Sequence, residues 1–201
     1  EEDPDAYREF IRAYQACASF ADAILGRVIE ALDQSPYRDN TVIVLWSDHG
    51  FHLGEKEHIE KFALWEKTTH VPYIIVAPGQ ITPGKIIEKP VDLTTIYPTL
   101  AELCGLPEPD GMDGRSVVPL LQGDTSFPPA LMTYLKGNHA IRTERWRYIR
   151  YADGTEELYD HEHDPQEWKN LAGQQDYVEI ITELKKHVPQ ENADQVPNLT
   201  P

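Results

Sequence analysis

The sequence predicts an α/β fold. Part of a largely parallel sheet sandwiched by helices is expected in residues 1–128, followed by a small antiparallel-sheet subdomain with a C-terminal helix in residues 129–201. Three observations predict it. A long amphipathic segment leads into the β-branched run Thr41-Val-Ile-Val-Leu-Trp46, the pattern of a strand fed by a crossover helix. A second such run, Tyr73-Ile-Ile-Val-Ala77, lies between Pro72 and Pro78-Gly79. After Pro128-Pro129 the texture breaks into short strand-sized pieces joined by turn residues.

Taken in order, the first helix rests on Tyr7, Phe10, Ile11, Tyr14, Ala18, Ala21, Ile24, Leu25, Val28, Ile29 and Leu32, one face at three-and-four spacing between Pro4 and Asp33. Gly26 inside it suggests close packing on a neighbour. Asp92 is an N-cap for a helix through Leu103 that Gly105 stops, and Pro98 within it implies a kink or a restart. Ser116 to Leu121 reads as a short helix. Leu131–Tyr134, His139–Thr143, Trp146–Tyr151 and Glu157–Tyr159 read as an antiparallel meander. A helix from about Asp176 to His187 follows, then a Pro/Asn-rich tail expected to be disordered. No internal repeat is present.

The net charge of -16 speaks against non-specific binding to nucleic acid or to an anionic membrane. No apolar run approaches the roughly 20 residues of a membrane span. Cys17 and Cys104 lie in apolar helical patterns and read as small buried hydrophobes. Trp46, Trp65, Trp146 and Trp168 read as packing anchors. Glu1-Glu2-Asp3-Pro4 is neither a signal peptide nor an initiator methionine, so the chain is expected to start mid-protein or to have been trimmed.

The chemistry concentrates between Ser47 and Lys61. A buried strand ends on Asp48-His49-Gly50, where open α/β sheets place their ligands. A hard cation takes carboxylate oxygens, and an imidazole nitrogen can complete its sphere. Gly50 would let the chain turn away from the metal. Lys61 lies 12 residues after His49, a length that allows the loop to return and set an ammonium beside a metal-held anion. Asp-His-Gly alone also serves as an ordinary turn or cap, so on this stretch both readings stand.

The wider pattern resembles the sulfatase family of the alkaline-phosphatase superfamily. Ser47-Asp48-His49-Gly50, Leu53-Gly54-Glu55, Lys61 and Thr69-His70-Val71-Pro72 carry the resemblance. So do Asp113-Gly114-Arg115-Ser116, Trp146-Arg147-Tyr148-Ile149, Glu157-Leu158-Tyr159-Asp160 and Asp164-Pro165. The loop from Asp48 to Lys61 is most similar to the iduronate-2-sulfatase branch, and the resemblance covers the C-terminal portion only. It implies an alkaline-phosphatase-like fold and an enzyme removing sulfate from a sulfated carbohydrate or related ester. It also implies Ca2+ rather than Mg2+, held by Asp48 and His49 together with acids from a missing N-terminal half of the same protein. Lys61 falls on the family lysine that binds a sulfate oxygen. The nucleophile implied is a formylglycine made from Cys or Ser in a Cys/Ser-x-Pro/Ala-x-Arg motif. Cys17-Ala-Ser-Phe-Ala and Cys104-Gly-Leu-Pro-Glu do not match it, so this chain alone should be inactive. By the same resemblance the setting is periplasmic, extracellular or lysosome-like.

His52 could line the substrate pocket or sit on the surface. His139 begins a strand after a turn and, because the family often brings C-terminal loops over the substrate, the resemblance makes it a specificity candidate. Glu55, Lys56, Glu57 and Glu60 read as a solvated charge run. Arg142, Arg145, Arg147 and Arg150 could meet an anionic substrate, with pairing to local carboxylates the favoured reading. A phosphatase or phosphodiesterase of the same superfamily and a non-catalytic sulfated-glycan binder are the rival functions.

Overall fold

A computed structural model describes residues 4–107 and 110–194, so the end of the Pro/Asn-rich tail lies outside the described residues. Helix α1 spans Pro4–Asp33, and β1, Ile43–Trp46, follows it. Two very short strands, β2 (His52–Leu53) and β3 (Ile59–Glu60), flank a tight turn. Helix α2 (Glu66–Thr69) leads into β4 (Tyr73–Val76). Asp92 caps a single turn ahead of α3 (Ile96–Leu103) by accepting from the Thr94 N–H at 3.1 Å. Pro98 falls in the first turn of α3, where its missing N–H costs nothing, so the restart is what forms and no kink is needed. Helix α4 is Val118–Leu121. Strands β5 (Ala130–Thr133), β6 (His139–Arg142), β7 (Trp146–Arg150) and β8 (Glu156–Asp160) precede α5 (Val178–Lys185).

The last four strands form the expected antiparallel meander in sequential order. Its register sets Ile141 opposite Tyr148 and Tyr148 opposite Leu158, and that face packs on Leu171, Ile181, Leu184 and Val188. The two-residue period sends Ala140, Ile149 and Tyr159 to the other face, against Leu64 and, partly buried, Trp65. The sheet is thus covered by α5 on one side and by the segment after β3 on the other. A third, smaller core joins Ala77, Leu103 and Val118.

Several expectations are corrected. β1 and β4 pair antiparallel, Ile43 opposite Val76 and Trp46 opposite Tyr73. Apolar runs report burial and not direction, so the parallel reading of this pair does not follow. Neither strand is fully covered; Trp46, Ile74 and Val76 are exposed, as are Phe20, Ile24 and Val28 on α1. Gly26 has open space around it instead of a close neighbour. Both cysteines are exposed, and Trp168 lies on the surface instead of anchoring a core.

Candidate active site

The end of β1 and the β2–β3 hairpin build the site. His52 pairs with Glu60 and Leu53 with Ile59, and Gly54 N–H donates to the His58 carbonyl at 3.0 Å to close the turn. Residues just before β2 and just after β3 are therefore the two stems of one hairpin. That is why His49 and Lys61 meet, with Lys61 Nζ 3.0 Å from His49 Nε2. Gly50 is required for a different reason than a sharp turn. Its N–H donates to the Thr68 carbonyl at 2.8 Å, and a Cβ there would strike the Lys67 carbonyl. Gly54 takes φ +115°, and α1 reaches the hairpin where the Tyr7 hydroxyl donates to the Leu53 carbonyl. Phe51 packs against the rings of Phe10 and Tyr14.

The imidazole of His49 is oriented by its own backbone. Nδ1 lies 2.8 Å from the Gly50 carbonyl, which can only accept, so Nδ1 carries the proton and Nε2 presents a lone pair. Lys61 donates to that lone pair, and Asp48 Oδ2 lies 3.5 Å from it. Two donor atoms at that spacing suit neighbouring ligands on a cation with bonds of about 2.4 Å. The pair fits a hard divalent ion in donor type and spacing. Asp48 is 81% exposed, so its carboxylate is free to receive one. Two ligands fall short of the six to eight that Ca2+ takes.

The structure brings Asp48, His49 and Lys61 together and turns the two other candidates inward. His52 is 1% exposed, with Nδ1 3.2 Å from the Glu55 carbonyl and its ring edge-on to His58 and Trp65. Strand alternation in the hairpin points it under the loop. Burial lowers its pKa, opposed by the hydrogen bond to the Glu55 carbonyl and reinforced by His58. His139 is 3% exposed inside β6, with Nδ1 2.9 Å from Thr133 Oγ1 and Nε2 2.7 Å from Asn192 Oδ1. Both ring nitrogens are engaged within the fold, and the ring is turned inward. The hairpin it belongs to does approach the site through a neighbour: Tyr134 packs on Phe62, and the Phe62 ring lies 5.7 Å from Lys61 Nζ.

Sequence reasoning missed the residues that hold the site's supporting loop. Glu66 receives Arg147 Nη2 and Arg142 Nε, the latter at 3.1 Å, and Arg147 Nη1 donates to the Leu64 carbonyl at 2.8 Å. Glu167 lies 2.6 Å from Arg147 Nε, 2.8 Å from His161 Nε2, and accepts from the Glu66 N–H at 2.8 Å. Burial alone would raise the Glu66 carboxyl. A hydrogen bond from His70 and the Arg147 and Arg142 guanidiniums overcome this and hold it far below the usual carboxylate range. Glu66, His161 and Glu167 have the donor atoms of a cation cage, but two guanidiniums already neutralise the two carboxylates, so the cluster is an ion-pair network. The favoured reading of Arg142 and Arg147 as carboxylate partners is what the structure shows. Lys56, read as solvated, is instead anchored, with Nζ donating to Tyr159 Oη at 3.1 Å and to the Glu167 carbonyl.

Fold and site together define an alkaline-phosphatase-like α/β protein with an acid, an imidazole and an ammonium gathered at the end of a strand. Residues 1–106 match the family described as Sulfatase, and residues 54–194 match the C-terminal region of N-sulphoglucosamine sulphohydrolase. The chain belongs to the sulfatase family. It is 46% identical over 189 residues to a sulfatase of Formosa agariphila, covering 93% of this chain and 37% of that protein. It is 32% identical to arylsulfatase K of Bos taurus, covering 87% of this chain and 35% of that one. Among solved structures, a 2-O GAG sulfatase, BT1596, superposes with a TM-score of 0.80 at 27% identity over 92% of this chain and 43% of its own. The chain thus spans little more than a third of the length of these curated relatives.

Proposed function

We propose that this chain is the C-terminal part of a sulfuric ester hydrolase of the iduronate-2-sulfatase-like branch, acting on a sulfated carbohydrate. The observation that carries it is the meeting of Asp48 Oδ2, His49 Nε2 and Lys61 Nζ at the end of β1. The GAG-sulfatase relative supports a sulfated sugar as substrate. Asp48 and His49 would hold Ca2+ together with acids from the remainder of the protein, and that ion would supply charge to polarise the sulfate oxygens. The hydrogen bond from Nδ1 to the Gly50 carbonyl keeps Nε2 of His49 aimed at the site.

Lys61 rests on that same lone pair until a ligand competes for it. Released, its ammonium can donate to a sulfate oxygen one hydrogen-bond length away, where negative charge grows as the ester bond breaks. The nucleophile, a formylglycine, and the acid assisting the leaving alcohol lie in the part of the protein outside this chain. The same remainder would cover the apolar faces of α1, β1 and β4.

The test is Asp48→Ala in the complete protein, with bound calcium measured by elemental analysis and turnover measured on a sulfated disaccharide. Both should be lost, and His49→Ala should weaken both less severely. Wild-type calcium content and activity in Asp48→Ala would remove the assignment.

A further inference from the structure

The β2–β3 hairpin carries Lys61 on one stem and Lys56 at its tip, and the tip is held by a different part of the molecule. Lys56 Nζ lies 4.7 Å from the centre of the Trp65 ring and 4.6 Å from that of Tyr159. It donates to Tyr159 Oη and to the Glu167 carbonyl. Three aromatic or carbonyl partners around one ammonium make a cage, and a cation over aromatic faces gains most where water is thin. The cage is rigid in turn. Tyr159 Oη donates to Glu157 Oε2 at 2.7 Å, and Trp65 Nε1 donates to the same oxygen at 2.7 Å. Glu167 is locked by Arg147 and His161.

The hairpin needs such an anchor because its backbone is unfavourable by itself. Lys56, Glu57 and Glu60 all take positive φ, at 58°, 55° and 84°, a region that side-chain-bearing residues occupy at a cost. Two strands of two residues each supply few ladder hydrogen bonds to offset it. Left alone, this loop would relax, and Lys61 on its stem would lose its place beside His49.

We infer that Lys56 is a positioning residue, clamping the hairpin tip to the C-terminal sheet so that Lys61 is held at the sulfate-binding end of β1. The inference rests on the sulfatase reading of Lys61. It makes the C-terminal sheet part of the catalytic apparatus at a distance, because the clamp's partners, Tyr159 and Glu167, belong to that sheet and to the loop after it.

The experiment is a double-mutant cycle in the complete protein, with Lys56→Met, Lys61→Ala and the pair, read by steady-state kinetics on a sulfated disaccharide. Hydrogen exchange of amides 54–61 is read in parallel. Lys56→Met keeps the apolar stem and removes the charge. It should lower kcat on the order of tenfold with little change in KM, speed exchange across the hairpin, and add nothing on top of Lys61→Ala. Lys56→Arg, which keeps a cation over the rings, should recover most of the rate. Unchanged kinetics in folded Lys56→Met, or a loss that multiplies with that of Lys61→Ala, would overturn the clamp while leaving the sulfatase reading intact. Wild-type rates in Lys61→Ala would overturn both. Should Lys56→Met fail to fold, Tyr159→Phe removes one acceptor with the ring in place, and must show a smaller loss of the same kind for the inference to survive.

Discussion

Strands β6 to β8 bury Ala140, Ile141, Tyr148, Ile149 and Leu158 completely, whereas α1, with as regular an apolar stripe, leaves Phe20, Ile24 and Val28 open to solvent. The sheet finds its cover within this chain, from α5 on one face and Leu64 and Trp65 on the other. The helix meets the hairpin near its start, through Tyr7, Phe10 and Tyr14. The contrast teaches that an amphipathic stripe states a need for cover and not where the cover comes from. Within this chain, the C-terminal sheet is the foundation, and the proposed site hangs between it and a helix whose far half leaves Phe20, Ile24 and Val28 exposed.

The comparison can be broken most forcefully at the buried ion pairs. Arg147→Met in the complete protein should destabilise the C-terminal sheet by about 3–5 kcal/mol, since Glu66 and Glu167 would be left charged and unpaired. Amide exchange in β7 checks it. Leu158→Ala should cost about 2–5 kcal/mol by opening a cavity between the sheet and α5, seen as a lower thermal midpoint. Lys61→Ala should lower kcat/KM on the order of a hundredfold, about 3 kcal/mol of transition-state stabilisation. Its thermal midpoint should stay within a degree or so of wild type, as expected for an exposed charge.

Acid sharpens the same contrast. Glu66 is held far below its ordinary pKa, and the Arg145 guanidinium, with burial opposing and His163 assisting, lowers Asp160 to about 2. Depressed acids stabilise above their unfolded values near 4, and that contribution is lost as pH falls through the folded values. The C-terminal sheet should therefore weaken from about pH 4 downward, and Asp160→Asn should flatten the slope of the thermal midpoint against pH near pH 2–4. The smallest effect belongs to α1. In the 201-residue chain, Val28→Ser should change stability by no more than about 0.5 kcal/mol. A larger loss in the complete protein would show that this face is covered there.

What the sequence made legible follows the range of each signal. The 30 residues of α1, the four-strand meander and the Asp92 cap are local patterns, and they stand where the periodicity put them. The group Asp48, His49 and Lys61 was legible because the residue types and the strand-end position were both in view. Strand direction was not, since β1 and β4 read alike whichever way the chain runs. The inward placement of His52 and His139 was not legible because a two-residue period decides which face a side chain takes, and in short strands the register comes only from the turn. Lys56 and Glu66 were missed because their partners lie 76 to 111 residues away in the sequence.

The spacing of His49 and Lys61 has a meaning beyond its length. Since the two residues occupy opposite stems of a hairpin, what matters is their parity across the ladder, and the count of residues between them is incidental. Removing two residues from the turn would keep the parity of the stems, though it would forfeit the grip of Lys56 and loosen the hold on Lys61. Removing one would rotate the second stem by half a pleat and turn Lys61 away from His49. A loop that grew or shrank in pairs would keep that parity but need another anchor for its tip, and a loop that differed by a single residue would have to find its anion-binding cation elsewhere.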